Sequence, residues 1–219
     1  MPAGIPARAA IALGRQLSNP SGLSGRLLAV AMRVANRRPT RALIDALNIR
    51  ADHFVLDIGC GDGSTLQAVG RAAWMCGIDV SDTMLQTARQ RLKIEVADGR
   101  LSIRHGDMLD LPFGPKSFDR YIASNVLYFC RDVPRLVAEC RRTARPGAKL
   151  GIYVTAAETM AKWRFAGRET HRHFSQSQLD QELEAAGVTN AAYAVNPIAL
   201  PAGAKGLVAI VDLDRGGPI

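Results

Sequence analysis

The sequence predicts an α/β protein with a mostly parallel sheet and helices on both faces. Three observations predict it. Short apolar β runs alternate with helical stretches at the spacing of strand–helix–strand units. The first run, Val55-Leu56-Asp57-Ile58, enters three alternating glycines, Gly59, Gly61 and Gly63, and then a helical stretch. Of the 219 residues, 47% are hydrophobic, enough to bury a sizeable core and to exclude a disordered chain.

The elements follow in order. Residues 1–20 form a loose arm broken by Pro2, Pro6 and Pro20. Leu23, Leu27, Val30 and Val34 recur at helical spacing with Arg26, Arg33 and Arg37 on another face, so Leu23 to Arg37 is an amphipathic helix. Thr40 is placed to cap a second helix from Arg41 to Leu47. The strand Phe54 to Ile58 precedes a helix from Ser64 to about Ala72. A second strand, Trp74 to Asp79, leads to a helix capped by Ser81 and reaching about Val96. Leu101 to Arg104 and Phe118 to Ser124 are the third and fourth strands, and Val133 to about Ala144 is a helix. Pro146-Gly147 turns the chain into a fifth strand, Lys149 to Thr155. Residues 156–174 are irregular, and Ser175 caps a helix to Ala186 that Gly187 ends. Two β runs, Asn190 to Val195 and Gly206 to Leu213, have no helix between them, so one of them runs antiparallel.

Composition excludes several classes. No apolar run approaches the ~18–20 residues of a membrane-spanning helix. Four cysteines, Cys60, Cys76, Cys130 and Cys140, make no disulfide framework at this length, and no Cys-x-x-Cys pair offers a common zinc spacing. Reduced thiols and a cytoplasmic location are expected. The net charge of +8 is uneven. Residues 1–44 hold seven arginines and no acid, whereas the remaining 175 hold 21 basic and 20 acidic side chains. A nucleic-acid surface would spread basic residues over the folded body. The basic arm is read as a solvated segment that could still attract anionic lipid, a phosphate-bearing substrate or RNA. Residues 1–48, the basic arm and its helices, are distinguished from the domain of residues 49–219. The Leu23 to Arg37 helix either packs on that domain or covers its pockets as a lid.

The glycine loop is the most informative stretch. Glycine admits positive φ and lets a ligand approach the backbone, so a strand running into such a loop makes a nucleotide-type cradle. The spacing Gly59, Gly61, Gly63, then Ser64, is not the dinucleotide fingerprint G-x-G-x-x-G/A. Asp57, two residues before the first glycine, would repel a pyrophosphate but suits an ammonium or sulfonium. Asp79, twenty residues after Gly59, ends the second strand, where a carboxylate can accept both ribose hydroxyls of an adenosine. Asp107 follows the third strand, where it can accept an adenine amine while Met108 packs on the ring.

The ordered series Asp57-x-Gly59-x-Gly61-x-Gly63, Asp79, Gly106-Asp107-Met108 with Leu111-Pro112-Phe113, and Phe118-Asp119 resembles the class I S-adenosylmethionine-dependent methyltransferases. It is most similar to the small-molecule enzymes of quinone biosynthesis and sterol type. Arg145-Pro146-Gly147-Ala148 resembles that family's proline–glycine turn before a strand, and the likeness spans roughly residues 53–155. The resemblance implies a Rossmann-like seven-stranded sheet with the last strand antiparallel and S-adenosylmethionine as cofactor. It implies cofactor contacts from Asp57, Gly59, Cys60, Gly61, Gly63, Asp79, Val80, Asp107, Met108, Asn125 and Val126. The glycines would wrap the methionine part and Asn125-Val126 would lie beneath the methyl donor. The chain departs from relatives with a His-His pair after strand four, having Tyr128-Phe129 instead. Asn125-Val126-Leu127-Tyr128 shares only its ends with the Asn-Pro-Pro-Tyr/Phe pattern of nucleic-acid amino methyltransferases, so DNA is discounted.

Transfer from a sulfonium needs positioning and desolvation above all. Any general base would come from Tyr128, Tyr153, His171 or His173, each of which also has a structural explanation; His171 and His173 read as loop residues. His-x-His alone lacks a third ligand, so no metal is expected. The expected function is methyl transfer to a small-molecule acceptor. The alternatives are an RNA or protein methyltransferase recruited by the arginine-rich arm, a non-catalytic module holding a nucleotide-like ligand, and a nicotinamide oxidoreductase, which the glycine spacing disfavours.

Overall fold

The computed structural model describes residues 36–70, 72, 74–163, 166–167 and 170–215. The N-terminal arm and the Leu23 to Arg37 helix, apart from its last two residues, lie outside them. The elements in order are α1 (residues 36–47), β1 (Phe54–Ile58), α2 (Ser64–Val69), β2 (Trp74–Asp79), α3 (Asp82–Arg91), α4 (Lys93–Ala97), β3 (Leu101–His105), β4 (Phe118–Ser124), a 3-10 turn (Leu127–Phe129), α5 (Val133–Thr143), β5 (Ala144–Thr155), α6 (Ala157–Met160), α7 (Gln176–Ala185), β6 (Tyr193–Ala199) and β7 (Lys205–Asp212).

The seven strands form one sheet in the order β3-β2-β1-β4-β5-β7-β6. β1 to β5 pair in parallel, and β7 runs antiparallel to both of its neighbours, β5 and β6. The missing helix between the last two strands therefore had the expected consequence. Successive side chains of a strand point to opposite faces, and the core divides accordingly. Leu56 and Ile58 of β1, Cys76 and Ile78 of β2, and Tyr121 and Ala123 of β4 pack on one face with Val133, Leu136 and Val137 of α5 and Leu179 and Leu183 of α7. Val55, Met75 and Ile122 face the other way, onto Leu43 and Leu47 of α1, Leu66 of α2 and Leu85 and Ala88 of α3. Each fully buried leucine contributes roughly 1.5–3 kcal/mol. Arg120 of β4 donates from Nε to the carbonyl of Leu47 at 3.0 Å, joining a cation to the C-terminal end of α1.

Local boundaries differ where tertiary contacts act. Thr40 does not start a helix; it is buried within α1, which already includes residue 36. α2 stops at Val69 rather than Ala72, with Gly70 at positive φ. The expected helix from Ser81 to Val96 breaks at Leu92 (φ −105°, ψ 31°), and Ser81 makes no side-chain capping bond. At that break Arg91 and Leu92 both turn onto the glycine loop. β5 begins at Ala144 rather than Lys149: Ala144 pairs with Phe118, and the register shifts before Arg120 meets Lys149. The Arg145-Pro146-Gly147 turn thus lies inside the strand as an irregularity. β6 is displaced to Tyr193–Ala199; as an edge strand it accommodates Pro197. β7 runs Lys205–Asp212, one residue ahead of expectation at each end. The stretch 156–174 contains the short helix α6, and Ser175 caps α7 in a reciprocal capping box with Gln178.

Candidate functional site

The C-terminal ends of β1, β2, β3 and β4 bring the sequence-predicted acids to one edge of the sheet. β1 delivers Asp57 and the glycine loop, which is strapped to β2. Cys60 N donates to the Ile78 carbonyl at 2.9 Å, and Gly61 N donates to Asp79 Oδ2 at 2.9 Å. Gly59 has φ +69°, and a Cβ there would stand 2.4 Å from Cγ2 of Val126. Gly61 has φ +52°, and a Cβ there would meet nothing within 4 Å. One glycine is therefore required by the protein's own packing, while the other faces open space.

An unforeseen residue holds this loop. Asp62 Oδ1 accepts from Ser64 N at 3.1 Å, while Arg91 of α3 donates Nη2 to Asp62 Oδ2 and Nε to the Asp62 carbonyl, both at 2.8 Å. The pair is largely buried. Twenty-nine residues separate the partners, so no local pattern announced it. Arg91→Ala removes both anchors and is expected to cost roughly 3 kcal/mol, as losing one member of a buried pair does. Thermal or urea unfolding measures this; an unchanged midpoint would contradict it.

The carboxylates have distinct environments. Asp57 is 1% exposed and its Oδ2 has no hydrogen-bond partner. Burial first, then the neighbouring Asp79 and Asp62, pushes its carboxyl well above the usual range. In Asp79 both oxygens accept backbone N–H groups, Oδ2 from Gly61 and Oδ1 from Ser81, each at 2.9 Å. Burial raises its pKa above the usual carboxylate range, and those bonds pull against the rise. Gly106 N reaches the Asp79 carbonyl at 3.2 Å, which fixes the approach to Asp107. Asp107 is exposed, and its Oδ1 accepts from Leu109 N at 2.9 Å. Val80, 51% exposed, and half-buried Met108 flank this edge. Cys60 is buried and its thiol is pushed well up by burial, so it contributes backbone rather than a thiolate.

Past β4, Asn125 adopts φ 58° and donates its backbone N–H to the Tyr153 carbonyl at 2.9 Å. Its Oδ1 accepts from the Tyr128 hydroxyl at 3.0 Å, and that hydroxyl accepts in turn from Thr155 N. Burial holds the Tyr128 phenol protonated, so this group positions Asn125 rather than moving a proton. The Tyr153 side chain belongs to the buried core on the α1 face. His171 is buried, not an open loop residue, because its ring lies against Phe129 and Tyr128 at 4.9 and 6.0 Å between centroids. Its Nδ1 meets Thr170 Oγ1 at 2.8 Å. Burial, with His173 adding to it, pushes it down to about 4, so the ring is neutral near pH 7. His173 is half-buried, with Nε2 2.6 Å from the Ala166 carbonyl. Among the described residues, no three His, Cys, Asp or Glu side chains are grouped to hold a metal ion.

The family model of a methyltransferase domain matches residues 56–152, the stretch that contains all of these strand ends. Residues 56–152 are similar to a methyltransferase domain, and the sheet that contains them has the order and the antiparallel strand expected of the class I fold. Within this methyltransferase domain the chain is 35% identical over 120 residues to methyltransferase GfsG of Streptomyces halstedii, covering 54% of this chain and 43% of that protein. It is 31% identical over 124 residues to the demethylmenaquinone methyltransferase of Oceanobacillus iheyensis, covering 55% and 52%. The matched stretch thus spans about half the length of these curated relatives. The methyltransferase fold is shared with a chain of the complex between the Haloferax volcanii Trm112 methyltransferase activator and a methyltransferase. That likeness has a TM-score of 0.73 at 18% identity and covers 86% of this chain and 93% of that one. S-adenosylmethionine is the methyl donor of class I methyltransferases, and the features that bear on its fit are open space over Gly61, an unpartnered buried carboxylate oxygen on Asp57, and exposed Val80 beside Asp79.

Proposed function

We propose that the chain is a methyltransferase that uses S-adenosylmethionine to methylate a small-molecule acceptor. The observation that carries this reading is the pairing of open space above Gly61 with the buried, unpartnered Oδ2 of Asp57. Asp79 keeps lone pairs for two ribose hydroxyls after accepting its two backbone bonds. Asp107 has Oδ2 to offer the adenine amine, with Val80 and Met108 on the ring faces. Gly59, Cys60, Gly61 and Gly63 follow the methionine part with backbone, and Asp57 faces its ammonium. When bound, the donor supplies an electrophilic methyl on a sulfonium for in-line displacement. The protein's share is orientation and exclusion of water. Asn125 and Val126, fixed by Tyr128, Thr155 and Tyr153, form the floor between donor and acceptor. A small acceptor is supported by the demethylmenaquinone enzyme among the relatives and by the Tyr128, Phe129 and His171 rings beside Asn125. No helix among the described residues is long and apolar enough to cross a membrane.

Calorimetric titration with S-adenosylhomocysteine tests the reading. A saturable heat at one site is expected; a folded protein without one would overturn it.

The raised pKa of Asp57 gives a pH signature. A cationic ligand favours the carboxylate, so binding releases a proton wherever Asp57 is still protonated in the free protein. Affinity should therefore strengthen as pH rises toward that elevated value, with proton release visible as a binding heat that varies with the buffer's ionisation heat. The stability sign is opposite. A folded-state value above the unfolded one favours folding in acid, and that advantage is lost as pH rises through it. Asp57→Asn should raise the neutral-pH melting temperature while weakening donor binding. A fall in both would contradict this account.

A further inference from the structure

Helix α5 carries three charged side chains on one stripe, Arg135, Glu139 and Arg142, spaced by four and three residues. All three are spent on the backbone of residues 109–113. Glu139 Oε2 accepts from Leu111 N at 2.9 Å. Arg142 donates Nη2 to the Leu111 carbonyl and Nη1 to the Phe113 carbonyl, both at 2.7 Å. Arg135 donates Nε to the Leu109 carbonyl at 3.1 Å. The three also bind one another: Glu139 is paired to Arg142 at 2.6 Å and to Arg135 at 3.4 Å. Glu139 itself is buried, and Arg142 holds its carboxyl below the usual range, so it stays ionised. The gripped segment belongs to no named strand; among the described residues its own backbone supplies only local turns and the Asp107–Asp110 bridge. Asp107 is tied directly to it, because Oδ1 accepts from N of Leu109, whose carbonyl Arg135 grips.

We infer that Arg135, Glu139 and Arg142 form a clamp that positions Asp107 and Met108 and thereby sets the domain's preference for adenine over other bases. The inference rests on the proposed role of Asp107 toward the adenine amine. The clamp residues touch no donor atoms; they are positioning residues, acting through the backbone they hold. A clamp that only stabilised the fold would change melting temperature, or all affinities together. A positioning clamp changes discrimination between bases that differ at the amine.

The experiment measures calorimetric affinities of the full chain for S-adenosylhomocysteine and S-inosylhomocysteine, which lacks the exocyclic amine, with melting temperatures alongside. The unsubstituted protein is expected to prefer the adenine ligand by about tenfold or more, the value of one good hydrogen bond. Glu139→Ala and Arg135→Ala should each narrow that ratio by weakening the adenine ligand more than the hypoxanthine one. Arg135 is largely exposed, so its variant gives the comparison even if Glu139→Ala fails to fold. Variants that keep the original ratio, however far stability or both affinities move, overturn the clamp. An unsubstituted protein that binds S-adenosylhomocysteine without base preference overturns the Asp107 role, and the clamp with it. One that binds neither ligand overturns the proposed function.

Discussion

Asp79→Asn is expected to weaken S-adenosylhomocysteine binding by two to three factors of ten. Two charge-assisted hydrogen bonds to the ribose are lost, worth about 3–4 kcal/mol together. The substitution also turns an NH2 group toward one of the backbone donors, Gly61 N or Ser81 N, that both carboxylate oxygens now serve. Where that donor is Gly61 N, the glycine loop loses its strap at the same moment as the ligand loses its acceptors. Stability should move little, since one lost bond is offset by removing a charge that burial disfavours. Calorimetry and thermal melting read the two effects separately. An affinity within about threefold of the original would refute the ribose role, because two such bonds cannot vanish at so small a cost.

The second large effect is a contrast between two glycines two residues apart. Gly59→Ala forces a non-glycine residue to φ +69° and sets its Cβ 2.4 Å from buried Val126. Left-handed backbone costs about 1 kcal/mol and overpacking roughly 1–3 more. The melting temperature should fall by roughly 4–16 °C at this chain length. Gly61→Ala meets no protein atom within 4 Å and suffers only the backbone strain. It should melt within roughly 2–4 °C of the original yet lose most donor affinity, because its methyl occupies the space proposed for the ligand. If Gly61→Ala binds S-adenosylhomocysteine normally, that space is not the ligand's. If Gly59→Ala proves as stable as the original, the Val126 contact is not real packing.

What the sequence disclosed and what it hid follow from the range of the forces involved. Asp57, Asp79 and Asp107 were legible because each sits at a strand end, and strand ends can be read from short apolar runs. The antiparallel β7 was legible because two strands without a helix between them cannot be parallel neighbours. The break at Leu92 was not, since nothing in Gln90-Arg91-Leu92-Lys93 disfavours a helix. The break coincides with Arg91 reaching Asp62 and with Leu92 packing 2.9 Å from where a Gly63 Cβ would lie. Thr40 resembled a cap because capping is judged from a few neighbours, and buried packing of Leu43 and Leu47 overrides so weak a preference. His171 sits in a polar run, Thr170 to His173, and its burial comes from rings more than forty residues earlier. The Glu139 contacts were invisible for the same reason: one charged stripe of a helix looks solvated until the loop it grips is known.

The place of β7 has a consequence for synthesis and maturation. Among the described residues β6 pairs with no strand except β7, and β7 fills the gap between β5 and β6. As the nascent polypeptide leaves the ribosome, β5 must keep a bare hydrogen-bonding edge and β6 must wait unattached until residues 205–212 emerge. Of the seven strands, the latest in the sequence is the one that joins β6 to the sheet, so the edge assembled from β1 to β4, where we propose the donor binds, is complete before its far flank is sealed.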